Sequence, residues 1–227
     1  MKIEKDGDQI VFSIKMGGGK YYAESCLVNS VSAAFKAIDE EEANQLARWQ
    51  LIVKDLEFSE VQLKECLDRM KIKKSWILDR RDIDSMILKS LFDSAVISYM
   101  KSFNQAKGRR VKLECKEIFS NSKDELMLHH HCEIRDIRDS YIAHAGINRF
   151  EFAKPYAVLD PNPPPGIHKL NVVLHTCFSF PDSDFVQRTY ELVKFVKIEV
   201  VNKLQDRLNQ FTRKVIDDPR KYKLHEK

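Results

Sequence analysis

From about Asp184 to Phe211, apolar side chains return every three or four residues: Val186, Tyr190, Val193, Val196, Val200, Leu204 and Leu208. That spacing is the helical period, and no proline or glycine interrupts it. A stripe this long has to be buried against other elements, so the chain needs partner helices. Two further segments supply them. Asp79 to about Ala106 carries Ile83, Met86, Ile87, Leu91, Ala95, Val96 and Tyr99 on one face. A second central helix is expected from near Ser122, with Asp124 and Glu125 in its first turn, through His144 to a stop near Gly146. Shorter amphipathic helices are expected from Asp39 to about Lys54, from near Ser59 to Met70, and from Lys112 to Phe119. The fold class read from this pattern is mainly α.

Two stretches break the helical period. Residues 8 to 14 alternate with β-branched and aromatic side chains, and Tyr21 and Tyr22 resume the pattern after Gly17-Gly18-Gly19, which reads as an N-terminal hairpin. The triple glycine before Lys20 is read as a turn and not a phosphate loop, because Tyr21 stands where that motif needs Ser or Thr. Between Phe150 and Pro181, prolines 155, 161, 163, 164 and 165 punctuate two β-like runs, giving a second hairpin with a proline-rich loop. The expected organisation is a single domain over 1–227. It comprises a hairpin and lead-in (1–38), a helical core (39–149), a peripheral hairpin (150–181), a C-terminal core helix (182–216) and a charged, frayed tail (217–227).

A chain of 227 residues with 43% hydrophobic content is long enough for one substantial core. No apolar run reaches the ~18–20 residues of a membrane span. The N-terminus alternates charges where an export signal would be apolar, so a cytoplasmic location and no membrane association are expected. Cysteines 26, 66, 115, 132 and 177 form an odd set without a Cys-x-x-Cys pair, which points to reduced, mostly buried thiols. The net charge of +4 is too small to hold nucleic acid by bulk charge alone. Any such contact must be local.

The chemically dense segment is Glu125-Leu-Met-Leu-His-His-His-Cys-Glu-Ile-Arg-Asp-Ile-Arg-Asp-Ser-Tyr-Ile-Ala-His144, which holds four of the seven histidines. At about 100° per residue, His131, Arg135 and Arg138 fall within roughly 60° of one another. Ile134, Ile137 and Tyr141 cover the adjoining arc, and His144 lies about 120° from Arg138 on an ideal helix. On one ideal helix these two do not touch; arginine is long enough to reach around part of that arc, and a second copy of the chain could bring its Arg138 beside the other's His144. Three adjacent histidines point about 100° apart and cannot converge on one ion, so no metal site and no cofactor are expected. His129 and His130 read as solvated neighbours. His131 reads as structural, because Arg135 disfavours its charged form and a neutral buried imidazole bonds locally.

Arg138-Asp139, four residues, then His144 resembles the Arg-x(4–6)-His motif of HEPN domains, a superfamily of helical bundles in bacterial defence and RNA metabolism. The likeness extends to His131, six residues before Arg138, to Tyr141 within Arg138-Asp-Ser-Tyr-Ile-Ala-His144, and to Asp93-Ser-Ala-Val-Ile-Ser-Tyr-Met-Lys-Ser-Phe103 upstream. It covers roughly residues 79 to 146. The resemblance implies a HEPN-like helical bundle with small peripheral β-hairpins. It also implies a metal-independent endoribonuclease or RNA-binding protein of a defence or toxin-type system, working as a homodimer with an antitoxin-like protein partner. His144 would then move the proton, Arg138 would stabilise the phosphate and Asp139 would orient one of them. His131, Tyr141 and Arg135 would support the site. The competing reading is a non-catalytic helical module that binds a protein or a nucleotide, with Arg138 and His144 as structural or dimer contacts.

Overall fold

The computed structural model of the chain describes residues 2–5, 8–18, 20–71, 82–105, 108–120, 125–142, 150–159 and 170–222. The chain divides into two compact units, one formed by Met1–Asn44 with Phe211–Lys227 and the other by Gln45–Gln210. Each has its own architecture.

The first unit is built on four antiparallel strands in the order β1 (Lys2–Lys5), β2 (Asp8–Gly17), β3 (Lys20–Val28) and β4 (Val31–Ser32). The expected hairpin is its β2–β3 centre, with Phe12 opposite Cys26 and Gly17 opposite Lys20. Gly18 adopts φ +59°, so the glycine run serves as a turn, as its left-handed backbone requires. Phe12 meets Phe35 edge to face at 5.8 Å. The charged tail is not simply frayed. Tyr222 is buried and packs edge-on against Phe211 at 5.5 Å, because one aromatic among the lysines and arginines supplies enough apolar surface to dock the turn.

The second unit is helical. α1 runs unbroken over Glu41–Met70, where the sequence suggested two helices parted near residue 55. No glycine or proline lies in that stretch, and Leu56 and Ser59 both face the core. α2 (Ile83–Lys101) starts behind the N-cap Asp82, whose carboxylate accepts from the Asp84 amide at 3.2 Å and from the Ser85 hydroxyl at 2.8 Å. These two helices pack antiparallel and close. The Ser59 hydroxyl donates to the Ala95 carbonyl at 2.9 Å, Gln62 Nε2 to Ser94 Oγ at 2.8 Å, and Cys66 Sγ to the Leu88 carbonyl at 3.7 Å. Small side chains at 59, 66 and 95 are what allow the approach.

The helix expected over Lys112–Phe119 shrinks to one turn, α3 (Cys115–Ile118), because Glu114 before it is extended and the Leu113 amide bonds back to the Ser102 carbonyl at 2.8 Å. α4 (Glu125–Ile137) is followed by a π-helical turn, Arg138–Ile142, where a continuous α-helix to His144 was expected. The Ser140 hydroxyl donates to the Asp136 carbonyl at 2.5 Å, a back-bond that competes with the α ladder at this step. α5 (Ser183–Asp217) begins at Asp182, whose carboxylate accepts from the Phe185 amide at 2.8 Å. Between them, β5 (Glu151–Leu159) and β6 (Leu170–Phe178) form the expected second hairpin, and its proline-rich loop lies outside the described residues.

The core of this unit joins Ile52, Leu56 and Leu63 from α1, Phe92, Val96 and Tyr99 from α2, Ile134 and Ile137 from α4, and Val186, Leu192, Val193 and Val196 from α5. Phe92 meets Phe180 and Phe185 at 5.5 and 6.4 Å. A partly buried ion pair between Lys197 and Glu60 ties α5 to α1. No described helix is long and apolar enough to cross a membrane.

Candidate functional site

The chemically dense helix presents its titratable residues in several directions. His131 points into the core and is almost wholly buried. Its Nδ1 lies 2.8 Å from the Tyr99 hydroxyl and its Nε2 lies 3.4 Å from Cys115 Sγ. The rings of Phe103 and Phe119 flank it at 4.4 and 5.4 Å. Hydroxyl and thiol each give or take a hydrogen bond, so a neutral ring satisfies both nitrogens. Burial, then the nearby Arg135 charge, pushes the imidazole down from 6.5 to about 4. It is held neutral.

His130 corrects the expectation of a solvated neighbour. It is buried against α5, with Nδ1 donating to Glu133 Oε2 at 2.7 Å and Nε2 3.0 Å from the Thr189 hydroxyl oxygen. The Thr189 hydroxyl has one proton and donates it to the Phe185 carbonyl at 2.8 Å, and the Phe185 ring sits edge-on to the imidazole at 4.8 Å. Hydroxyl, imidazole and carboxylate thus form a line of polar contacts from α5 to α4. Thr189 is buried beneath the helices, so no substrate reaches it, and the line pins α4 to α5. Burial depresses the His130 pKa, and the Glu133 carboxylate only partly offsets this. Of the three adjacent histidines, His129 alone is exposed.

Arg135, one turn along α4 from His131, is exposed, with Nε 3.9 Å from Asp136 Oδ1, and its charge lies near enough to His131 to disfavour protonation of that ring. Arg138 opens the π turn. Its Nη1 donates to Asp139 Oδ1 at 2.6 Å, and about a third of its side chain (35%) remains accessible. The guanidinium has five N–H donors, and this contact uses one of them. Tyr141 turns inward, packing against Phe150 at 5.3 Å. His144 lies outside the described residues.

A cluster that the motif did not single out borders this turn. Lys89 Nζ donates to Asp93 Oδ2 at 2.6 Å and sits 4.5 Å above the Tyr141 ring. Burial opposes the Lys89 charge, but its hydrogen bonds to Asp93 and Tyr141 prevail and raise its pKa. Burial raises the Asp93 pKa against the pull of Lys89, and Asp93 Oδ1 is buried without a hydrogen-bond partner among the described residues. The i,i+4 spacing of Lys89 and Asp93 is visible in the sequence. Tyr141, 48 positions beyond Asp93, is not a neighbour any local pattern names.

Among the described residues, no three His, Cys, Asp or Glu side chains converge as a metal-binding group. Cys26 and Cys66 are buried, whereas Cys115 and Cys132 are partly accessible, and all four are free thiols. In comparisons with known proteins, no family model, curated protein or solved structure matches this chain.

Proposed function

We propose that the chain is a HEPN-like protein that binds and cleaves RNA without a metal ion, acting as a homodimer. The observation that carries this reading is the Arg138–Asp139 pair at the π turn: an accessible guanidinium held by its neighbour, with donors left for a phosphate. π turns in helices occur frequently at functional sites. In the proposed chemistry His144 takes the ribose 2′-OH proton, and Arg138 stabilises the charge that develops on the scissile phosphate. His131, Tyr141 and the Lys89–Asp93 pair fix the supporting helices and touch no substrate. A cytoplasmic bacterial defence or toxin-type system, with an antitoxin-like protein partner, is the setting that the motif suggests.

The second reading is a non-catalytic module that binds a protein or nucleotide, with Arg138 and His144 as structural or dimer contacts. It is favoured by the 2.6 Å ion pair that Arg138 makes with its own neighbour Asp139. Incubating purified protein with RNA in EDTA separates the two. The proposal expects cleavage by wild type that is lost in both Arg138→Ala and His144→Ala. No cleavage by wild type, or cleavage surviving both substitutions, supports the module.

A further inference from the structure

Five residues make the π turn, and they divide by burial. Arg138, Ser140 and Ile142 are half-buried, Asp139 is exposed, and Tyr141 alone is buried. Tyr141 is therefore the side chain that anchors the turn. Phe150 packs against its ring at 5.3 Å, and the Lys89 ammonium of α2, the helix that packs on the turn from outside α4, sits 4.5 Å from the ring centre. Asp93, one turn further along α2, accepts a hydrogen bond from Lys89 at 2.6 Å and keeps the ammonium in that place.

Holding this pair there is costly. The two side chains are only 32% and 22% exposed, and Asp93 Oδ1 is buried without a hydrogen-bond partner among the described residues. Desolvating an ion pair commonly cancels its attraction, and apolar side chains of similar volume in its place are often neutral or stabilising. The pair is therefore better explained by what it fixes than by what it adds to stability. What it fixes is a cation against the Tyr141 ring, a directional contact that an apolar side chain does not make. The turn is an element such a contact can bias. Its i→i+5 hydrogen bonds compete with the i→i+4 ladder of an α-helix, and the pattern the chain keeps after Ile137 decides where Arg138 and Asp139 lie relative to the buried Tyr141.

We propose that Lys89, oriented by Asp93, is a positioning residue: it clamps Tyr141 and so holds the π turn in the conformation that presents the Arg138–Asp139 pair at the surface. Lys89 touches no substrate in this role and acts through Tyr141 on the turn that carries Arg138. The role rests on the proposed RNA chemistry only for what Arg138 then does. The clamp itself is measurable without RNA.

Hydrogen–deuterium exchange of the full chain, read by mass spectrometry, tests the clamp. Lys89→Met keeps the apolar stem and removes the charge, Asp93→Asn keeps the shape of the anchor and removes its charge, and Lys89→Arg keeps a cation able to meet both the carboxylate and the ring. Peptides covering Arg138–Ile142 should exchange about fivefold faster in Lys89→Met and Asp93→Asn. Peptides from α1 and α5 should exchange as in wild type, and the urea midpoint of Lys89→Met should not fall. Lys89→Arg should match wild type throughout. Unchanged exchange of the turn in Lys89→Met, faster exchange spread equally over α1 and α5, or a Lys89→Arg turn as loose as that of Lys89→Met would each overturn the clamp. Cleavage of RNA in EDTA is the separate arm. With an active wild type, Lys89→Met should lower kcat severalfold at unchanged KM, with recovery in Lys89→Arg, because a looser turn holds Arg138 in place for less of the time. A kcat kept at the wild-type value overturns the positioning role. An inactive wild type sinks the nuclease reading instead, and the exchange result then decides the clamp by itself.

Discussion

Acid should loosen this protein through His131, and the size of the effect follows from its surroundings. The ring sits between Tyr99, Phe103 and Phe119 with both nitrogens engaged, and its pKa falls from 6.5 to about 4. Unfolding returns the group to 6.5, so the unfolded chain binds the proton first. A histidine depressed in this way contributes stability that is intact above about pH 6.5 and is lost as pH falls toward 4. A drop from 6.5 to about 4 corresponds to roughly 3 kcal/mol, with a slope of at most ~1.4 kcal/mol per pH unit inside that window. Urea unfolding followed by tryptophan fluorescence from pH 4.5 to 7.5 measures this slope in wild type and in His131→Gln, which retains hydrogen-bonding groups but does not titrate. The variant should be less stable at pH 7.5 and flatter across the window. Identical slopes, or an NMR titration of His131 near 6.5 in the folded protein, would refute the reasoning.

The close crossing of α1 and α2 predicts that Ser59→Val destabilises by about 1–3 kcal/mol, through overpacking and loss of the bond to the Ala95 carbonyl. Urea midpoints check this, and an unchanged midpoint would mean that the helices are not held at Ser59. Burial, with a smaller push from Glu65, raises the Cys66 thiol to about 12, so iodoacetamide should leave Cys66 unmodified until the chain unfolds. Peptide mass mapping of natively labelled protein would contradict this by finding alkylated Cys66.

The helices α2 and α5 were legible because their apolar repeats are long and uninterrupted, and the β5–β6 hairpin because its flanking prolines are emphatic. The unbroken α1 was not, since Ser59 places a hydroxyl at a core position and reads as a new start. Its bond to Ala95 lies 36 residues away, beyond any local pattern. The motif arithmetic takes an ideal α-helix through His144, and the π turn changes the angle per residue over Arg138–Ile142. His130 was misread for the same kind of reason, because its partner Thr189 comes from α5, 59 positions on. Arg138 and Asp139 are neighbours in sequence and their side chains pair, whereas the Lys89–Asp93–Tyr141 cluster needed the helices in place to be seen.

The chemistry of the RNA ends tests the proposed function most directly. If His144 draws the proton from the 2′-OH while Arg138 steadies the phosphate, the 2′ oxygen attacks the adjacent phosphorus, its bond to the 5′ oxygen breaks, and the 5′ oxygen leaves with a proton taken from water. Mass spectrometry of fragments made in EDTA should then find 2′,3′-cyclic phosphates and 5′-hydroxyls from wild type, and none from Arg138→Ala. Fragments ending in 3′-hydroxyl and 5′-phosphate, or cyclic ends still produced at the wild-type rate by Arg138→Ala, would contradict the account.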